Sequence, residues 1–279
     1  MSKIRVVTDS ACDIPRDIVE ELGITVVPLT IRFGDEEFVD CQDLTPQDFW
    51  AKCKASDTLP ETAAPSPGAF QSAYEQALAD GYDGVLAVCL SSKLSATHQS
   101  ATLGADGVAG KIPVTVIDSL AVTMAQGLIV MECAEAAQKG ASLEELTAIA
   151  HDAVSRAGVI GTLDTLEHLI KGGRIGGAKA MLGSMLSIKP LLELKDGVVA
   201  EAGRQRTRSK AVATCVNAVK EIAPVSRVAI VHGDAADIDA VVAQMQGVAS
   251  THPLIVTDMG SVVGTHGGPG IVGVCWLRA

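Results

Sequence analysis

The run Val85-Leu86-Ala87-Val88-Cys89-Leu90 constrains the fold more than any other stretch. Six consecutive apolar residues, bounded upstream by Asp83-Gly84, predict a buried strand. Four hydroxyl residues follow within seven positions, Ser91, Ser92, Ser95 and Thr97, and a helical pattern then begins at Ala101. A strand that runs through a hydroxyl-rich turn into a helix makes an anion site. The first helical turn offers unpaired N–H groups and a partial positive charge, and hydroxyl protons rotate to suit a carboxylate or phosphate. One Ser at such a place is ordinarily a helix cap. Four of them leave a cap and a ligand-facing turn both open.

The same grammar recurs along the first half. Ile4 to Val7 reads as a strand ending in Thr8-Asp9-Ser10, and Ile112 to Ile117 as one ending in Asp118-Ser119. Ile24 to Phe33 reads as a single strand turned by Gly34-Asp35 into Glu36 to Val39, and Thr58 to Pro65 as a loop. Asp13-Ile14-Pro15, Thr45-Pro46 and Ser66-Pro67 are helix starts, with Pro in the first turn. Val122 to Gln138 and Leu143 to Ala157 are helices, the second opened by a Ser142/Glu145 capping box. Strands alternating with helices predict an α/β domain over residues 1–157, its mostly parallel sheet flanked by helices. In such sheets ligands sit at the carboxyl ends of the strands, where all three hydroxyl-bearing segments fall.

The second half reads differently. Ile188 to Leu194 and Val198 to Arg204 flank Lys195-Asp196-Gly197, a hairpin signal. An antiparallel pair predicts a distinct α+β domain with a mixed sheet over residues 158–279. Ala178 to Ser187 reads as a helix with Met181, Leu182, Met185 and Leu186 on an apolar face.

Composition narrows the function classes. The 279 residues are 48% apolar but only 3% aromatic, so the cores are aliphatic and platforms for stacking bases are scarce. A formal charge of -11 also argues against a nucleic-acid or anionic-membrane partner. The seven Cys show no C-x-x-C and no zinc spacing, so neither metal nor cofactor is expected, and the thiols suit the reducing cytoplasm. The most apolar helix candidate, Ala121 to Met131, is too short and too polar to be an integral membrane segment.

Three further stretches bear on chemistry. Gly264 to Gly270 holds four glycines around His266, which can donate to an anion or exchange a proton. Its H-G-G resembles an esterase oxyanion loop, but it lies at the C-terminal end and Ser95 lacks G-x-S-x-G. A serine esterase built from Ser95, His266 and Asp118 stays as one alternative. Gly172 to Gly177, a basic loop around Arg174, supports a sugar-phosphate or nucleotide binder as another, although it fits neither a Walker nor a dinucleotide fingerprint. Glycine flanks place Arg174 at a mobile surface. Arg204, Arg206 and Arg208 form a small basic cluster against the acidic background, for which a solvated face is the ordinary reading.

The ensemble of motifs resembles the DegV family, whose members include the fatty-acid-binding subunits of bacterial fatty acid kinase. The matching pieces run the whole chain: Thr8-Asp9-Ser10 with Asp13-Ile14-Pro15, Thr62 with Pro65-Ser66-Pro67-Gly68, Ser91 to Thr97, Leu163 to Glu167, Gly172 to Ile175, Arg204 to Arg206, and Gly264 to Gly270. The resemblance implies two α/β domains with a long-chain fatty acid, such as palmitate, held between or beneath them. It implies no catalysis by this chain, the acyl carboxylate being phosphorylated by a partner, the fatty acid kinase catalytic subunit. It places Thr62 and Ser95 on the carboxylate, with Ser92 nearby in the same turn, and His266 near the head group. Arg174 and Arg204 match positions that handle the phosphorylated head or dock the kinase. Two departures stand out. The family's T-S-x-P reads Thr62-Ala63-Ala64-Pro65 here, which removes a hydroxyl. Its S-G-T reads Ser95-Ala96-Thr97, which restricts the loop if that glycine has positive φ.

Overall fold

The computed structural model describes residues 2–56 and 58–279, and of residues 182–187 only the backbone. The first half comprises β1 (Ile4–Asp9), α1 (Arg16–Leu22), β2 (Thr25–Val27), β3 (Thr30–Phe33), β4 (Glu36–Val39), α2 (Pro46–Ala55), β5 (Glu61–Ala63), α3 (Pro67–Ala79), β6 (Gly84–Cys89), α4 (Thr97–Asp106), β7 (Val114–Asp118), α5 (Thr123–Gln138) and α6 (Leu143–Arg156). The second half adds β8 (Ala157–Thr162), α7 (Glu167–Lys171), a 3-10 segment (Gly176–Ser187), β9 (Lys189–Lys195), β10 (Val198–Gln205), α8 (Arg208–Ile222), β11 (Val225–His232), α9 (Ile238–Gln244), β12 (Ile255–Asp258), α10 (Ser261–Gly267) and β13 (Val272–Arg278).

The first half builds a four-stranded sheet in the order β2-β1-β6-β7, every pairing parallel. Every residue of β6 is buried, as a strand covered on both faces requires. The second half builds a six-stranded mixed sheet, β10-β9-β8-β13-β11-β12, with only β11 and β12 parallel. The α/β class, the parallel sheet and the mixed sheet therefore stand as the sequence predicts. The hairpin turns at Asp196 and Gly197, both at positive φ.

Helix α5 binds the halves together. It is buried without a break from Thr123 to Met131 and packs on β1 and β6 on one side and on β8, β11 and β13 on the other. A helix apolar on all sides can exist only where every side is covered. One continuous core accordingly holds Leu86, Val88 and Leu128 together with Leu192, Val231 and Cys275.

Four expectations are corrected. Ile24 to Phe33 is two strands, because Pro28 lacks the N–H that a ladder needs; β3 leaves the parallel sheet and joins β4 and β5 in a small antiparallel one. The loop from Thr58 to Pro65 contains β5, which pairs Thr62 with Ile31. The glycine stretch at Gly264 begins as the last turns of α10, and only Gly268, at φ 76, ends it. Ala178 to Ser187 is a 3-10 segment in which Met181 is buried; Leu182, Met185 and Leu186 of the expected apolar face lie outside the described side chains.

Candidate functional site

Residues of both halves enclose a cavity of about 920 Å³, part of it open to solvent. Leu29, Leu90 and Val122 line it from the first half, and Leu163, Leu192 and Val231 from the second. Gly161 of β8 and Gly273 of β13 stand opposite each other in register, and both line the cavity. Glycine weakens a strand and marks a place where something approaches the backbone. Here the pair leaves a bare strip of sheet as part of the wall.

Four of the polar lining residues, Thr62, Ser95, Arg174 and His266, lie close to one another, and Thr123 and Glu193 line the cavity as well. Thr62 Oγ1 and His266 Nε2 lie 3.0 Å apart, although one comes from edge strand β5 and the other from α10. His266 Nδ1 is buried and has no hydrogen-bond partner. Gly172 packs directly against that nitrogen, so that a β-carbon there would overlap it. A bare lone pair costs less in such a place than a bare N–H. The imidazole is accordingly assigned as the neutral Nε2–H tautomer, which donates to Thr62. Burial, and then the charge of Arg174 and the neighbouring His168, lower its pKa to about 4. Thr62 spends an acceptor lone pair on His266, and its own hydroxyl proton is left to donate into the cavity.

Ser95 is prepared in the same way. Its Oγ lies 2.9 Å from Thr97 Oγ1 and accepts the Thr97 N–H at 3.3 Å. Ser95 lines the cavity and Thr97 is buried behind it. The other hydroxyls of the turn have different work. Ser91 Oγ donates to the Gly197 carbonyl at 2.7 Å and so ties the hairpin tip to the turn. Ser92 is corrected as a site residue: it is exposed, its N–H caps Asp118, and it is absent from the cavity lining. The two departures from the family pattern prove harmless to the geometry. Ala96 has φ -76, which any residue adopts. Ala63 is exposed, on the face of β5 opposite Thr62.

Arg174 is not the mobile surface residue its glycine flanks predict. It is half-buried and lines the cavity, its Nε donating to the Leu94 carbonyl at 3.1 Å and its Nη1 to the Gly172 carbonyl at 2.6 Å. A guanidinium carries five donors, so these bonds fix its place while leaving it able to meet an anion. The basic cluster disperses. Arg204 is exposed on β10 and pairs with Glu201, whereas Arg208 grips Asp237 with two bonds and also holds the Gly270 carbonyl.

An esterase triad is not assembled among the described residues. Ser95 is bonded to Thr97 and His266 to Thr62, while Asp118 accepts the N–H groups of Ser92 and Leu120. No group of three or more His, Cys, Asp or Glu that could hold a metal occurs among the described residues. Nor is any described helix long and apolar enough to cross a membrane. Sequence reasoning missed Arg174 as a cavity residue and missed the Gly161/Gly273 pair. A glycine inside each of two otherwise strand-like runs was the available signal for the latter.

These features define a class: an α/β protein with a mainly aliphatic cavity in which one cation, Arg174, lies close to Thr62, Ser95 and His266. Comparison with known proteins gives the family. The DegV family model, described as an uncharacterised protein family, matches residues 3–279, and the chain belongs to that family. A DegV domain-containing protein of Deinococcus radiodurans is 37% identical over 277 residues, 97% of each chain. A DegV family protein of Thermus thermophilus, whose structure was described for its fatty acid binding, superposes with a TM-score of 0.91 at 34% identity over 99% of this chain and 100% of that one. DegV of Bacillus subtilis, described as a fatty acid binding protein, gives 0.89 at 30% identity over the whole of both chains.

Proposed function

We propose that this chain binds a long-chain fatty acid and presents its carboxylate to a partner kinase, without catalysing a reaction itself. The observation that carries this reading is the contrast within one cavity: an aliphatic wall, and Thr62, Ser95, Arg174 and His266 together at one place. Residues 1–157 and 158–279 act in this reading as two domains that enclose the ligand. Burying a chain of about sixteen carbons is worth on the order of 10 kcal/mol gross, at roughly 0.8 kcal/mol per CH₂, part of which is lost to ordering both partners.

The head group is read by donors. Thr62 and Ser95 each turn a hydroxyl proton to a carboxylate oxygen, and the Arg174 guanidinium supplies the opposite charge. His266 stays neutral and holds Thr62 in its donor role. An acyl phosphate forms when a carboxylate oxygen attacks the terminal phosphorus of a nucleotide carried by the partner. The nucleoside diphosphate leaves, and this chain contributes placement. Arg204, exposed on the edge strand β10, belongs to the docking surface.

Mass spectrometry of ligand released by denaturing the purified protein, joined to a titration with palmitate, tests the binding. A fatty acid near one-to-one is expected. A protein that emerges empty and ignores added palmitate sinks the proposal.

A further inference from the structure

The turn after β1 bonds to the cavity wall at several points. Ser10 Oγ accepts the Leu29 N–H at 3.1 Å and Asp9 accepts the Leu90 N–H at 2.8 Å, and both leucines line the cavity. Asp13 reaches further. Its Oδ2 accepts the Thr123 hydroxyl at 2.5 Å, and its Oδ1 accepts the Gly260 N–H at 3.0 Å. Thr123 is a cavity residue and the first residue of α5. Gly260 lies between the cavity residue Met259 and the start of α10. One carboxyl group therefore joins the central helix to the helix that carries His266.

Two features mark this contact as built. A β-carbon on Gly260 would lie 2.6 Å from Asp13 Oδ1, so the approach requires glycine. Asp13 and Thr123 both sit at positive φ, 52 and 54. For a β-branched residue that conformation is a real outlier, costing about 1–3 kcal/mol, and it persists where its surroundings over-determine it.

The titratable groups around Asp13 are Asp9, Asp40, Cys12, Cys41 and Cys275. Burial first, and then Asp40 and Asp9, push its carboxyl up to about 8. At neutral pH the acid is therefore mostly protonated. When neutral, the carboxyl carries its proton on Oδ2 and donates it to Thr123, reversing the sense of that bond, while Oδ1 still accepts from Gly260.

We infer that Asp13 is a positioning residue of the ligand site: by fixing α10 against α5 it sets the contact between His266 and Thr62 through which the head group is read. From Gly260 to His266 is about 9 Å at 1.5 Å per residue, a distance over which a helix moves as a unit. A displacement at the start of α10 is thus delivered to the imidazole. The inference rests on the fatty-acid reading only for the choice of ligand.

The test uses the full chain with Asp13→Ala, Asp13→Asn and Thr123→Val, and two readouts. One is the His266 titration followed by NMR in ligand-free protein; the other is displacement of a fluorescent fatty acid. Asp13→Ala should move the His266 midpoint up from about 4 toward its ordinary 6.5 and weaken the fatty acid about tenfold or more. Asp13→Asn keeps one acceptor and one donor in place and should restore both readouts, with Thr123→Val intermediate. A folded Asp13→Ala with wild-type midpoint and affinity overturns the inference. Should Asp13→Ala not fold, wild-type values for Thr123→Val overturn it instead. If the midpoints shift as expected while even the wild type binds no fatty acid, the positioning role stands and the ligand assignment falls.

Discussion

Thr62 Oγ1 and His266 Nε2 lie 3.0 Å apart across 204 residues of sequence, one on an edge strand and the other at the end of a short helix. The contact makes a neutral histidine the support for a hydroxyl donor, so the titration of the imidazole reports on the geometry of this part of the cavity.

On the proposed reading, Thr62→Ala and Ser95→Ala would each remove one hydrogen bond to the bound carboxylate, worth roughly 1.5–3 kcal/mol. Fatty-acid affinity should fall about ten- to a hundredfold in each, with the thermal midpoint little changed. Wild-type affinity in both variants would move the carboxylate elsewhere in the cavity.

Arg174 and Arg204 should separate. Arg174 lines the cavity beside His266, so Arg174→Ala should weaken fatty-acid binding and raise the His266 titration midpoint by removing a nearby cation. Arg204 is exposed and not part of the lining, so Arg204→Ala should retain fatty acid but slow acyl-phosphate formation with a cognate kinase. Binding assays with unchanged Arg174→Ala affinity would return that arginine to a purely structural place.

Stability should respond to pH through opposing groups. Asp13 and Asp9 are raised from 3.8 to about 8 and about 6, chiefly by burial, so the folded protein holds their protons more tightly. Their contribution is full below 3.8 and is lost as pH rises through those values, on the order of a few kcal/mol. Urea midpoints of wild type minus Asp13→Asn should therefore decline between pH 5 and 9. A flat difference contradicts the assignment. His266 works the other way: lowered from 6.5 to about 4, it stabilises above 6.5 and loses that contribution as pH falls through 4.

The bare strip at Gly161 and Gly273 should set which acyl chains fit. A β-carbon on Gly161 would lie 3.1 Å from the Val272 carbonyl and narrow the cavity there. Gly161→Ala should shift the retained ligand toward shorter chains, read by mass spectrometry, and leave the head-group bonds intact. An unchanged ligand profile would show that the chain avoids this part of the wall.

Much of the fold is legible from local chemistry. Val85 to Leu90 could only be a covered strand, Ser142 with Glu145 forms the capping box its spacing implies, and Asp196-Gly197 turns the hairpin. The neighbourhood of Thr62, Ser95 and His266 came through family resemblance, since no local rule joins a strand to a helix 204 residues away. What stayed hidden depends on tertiary support. Gly264 argues against a helix on propensity alone, yet α10 forms because Phe49 and Trp50 pack where a side chain would be. Arg174 looks free between glycines, and only the folded chain brings the Leu94 carbonyl to hold it.

Helix α5, shared by both sheets, limits how a ligand can come and go. Parting the halves like a clamshell would strip water-free surface from Thr123 to Met131 on at least one side, so the protein should melt as a single cooperative unit. On the fatty-acid reading, exchange of the ligand is then left to local opening of the cavity wall. The edge hairpin of β9 and β10, fastened at its tip by the Ser91 hydroxyl, supplies Leu192, Leu194 and Val199 to that wall. Its amide hydrogens should exchange faster than those of β6, and slower once the cavity is filled.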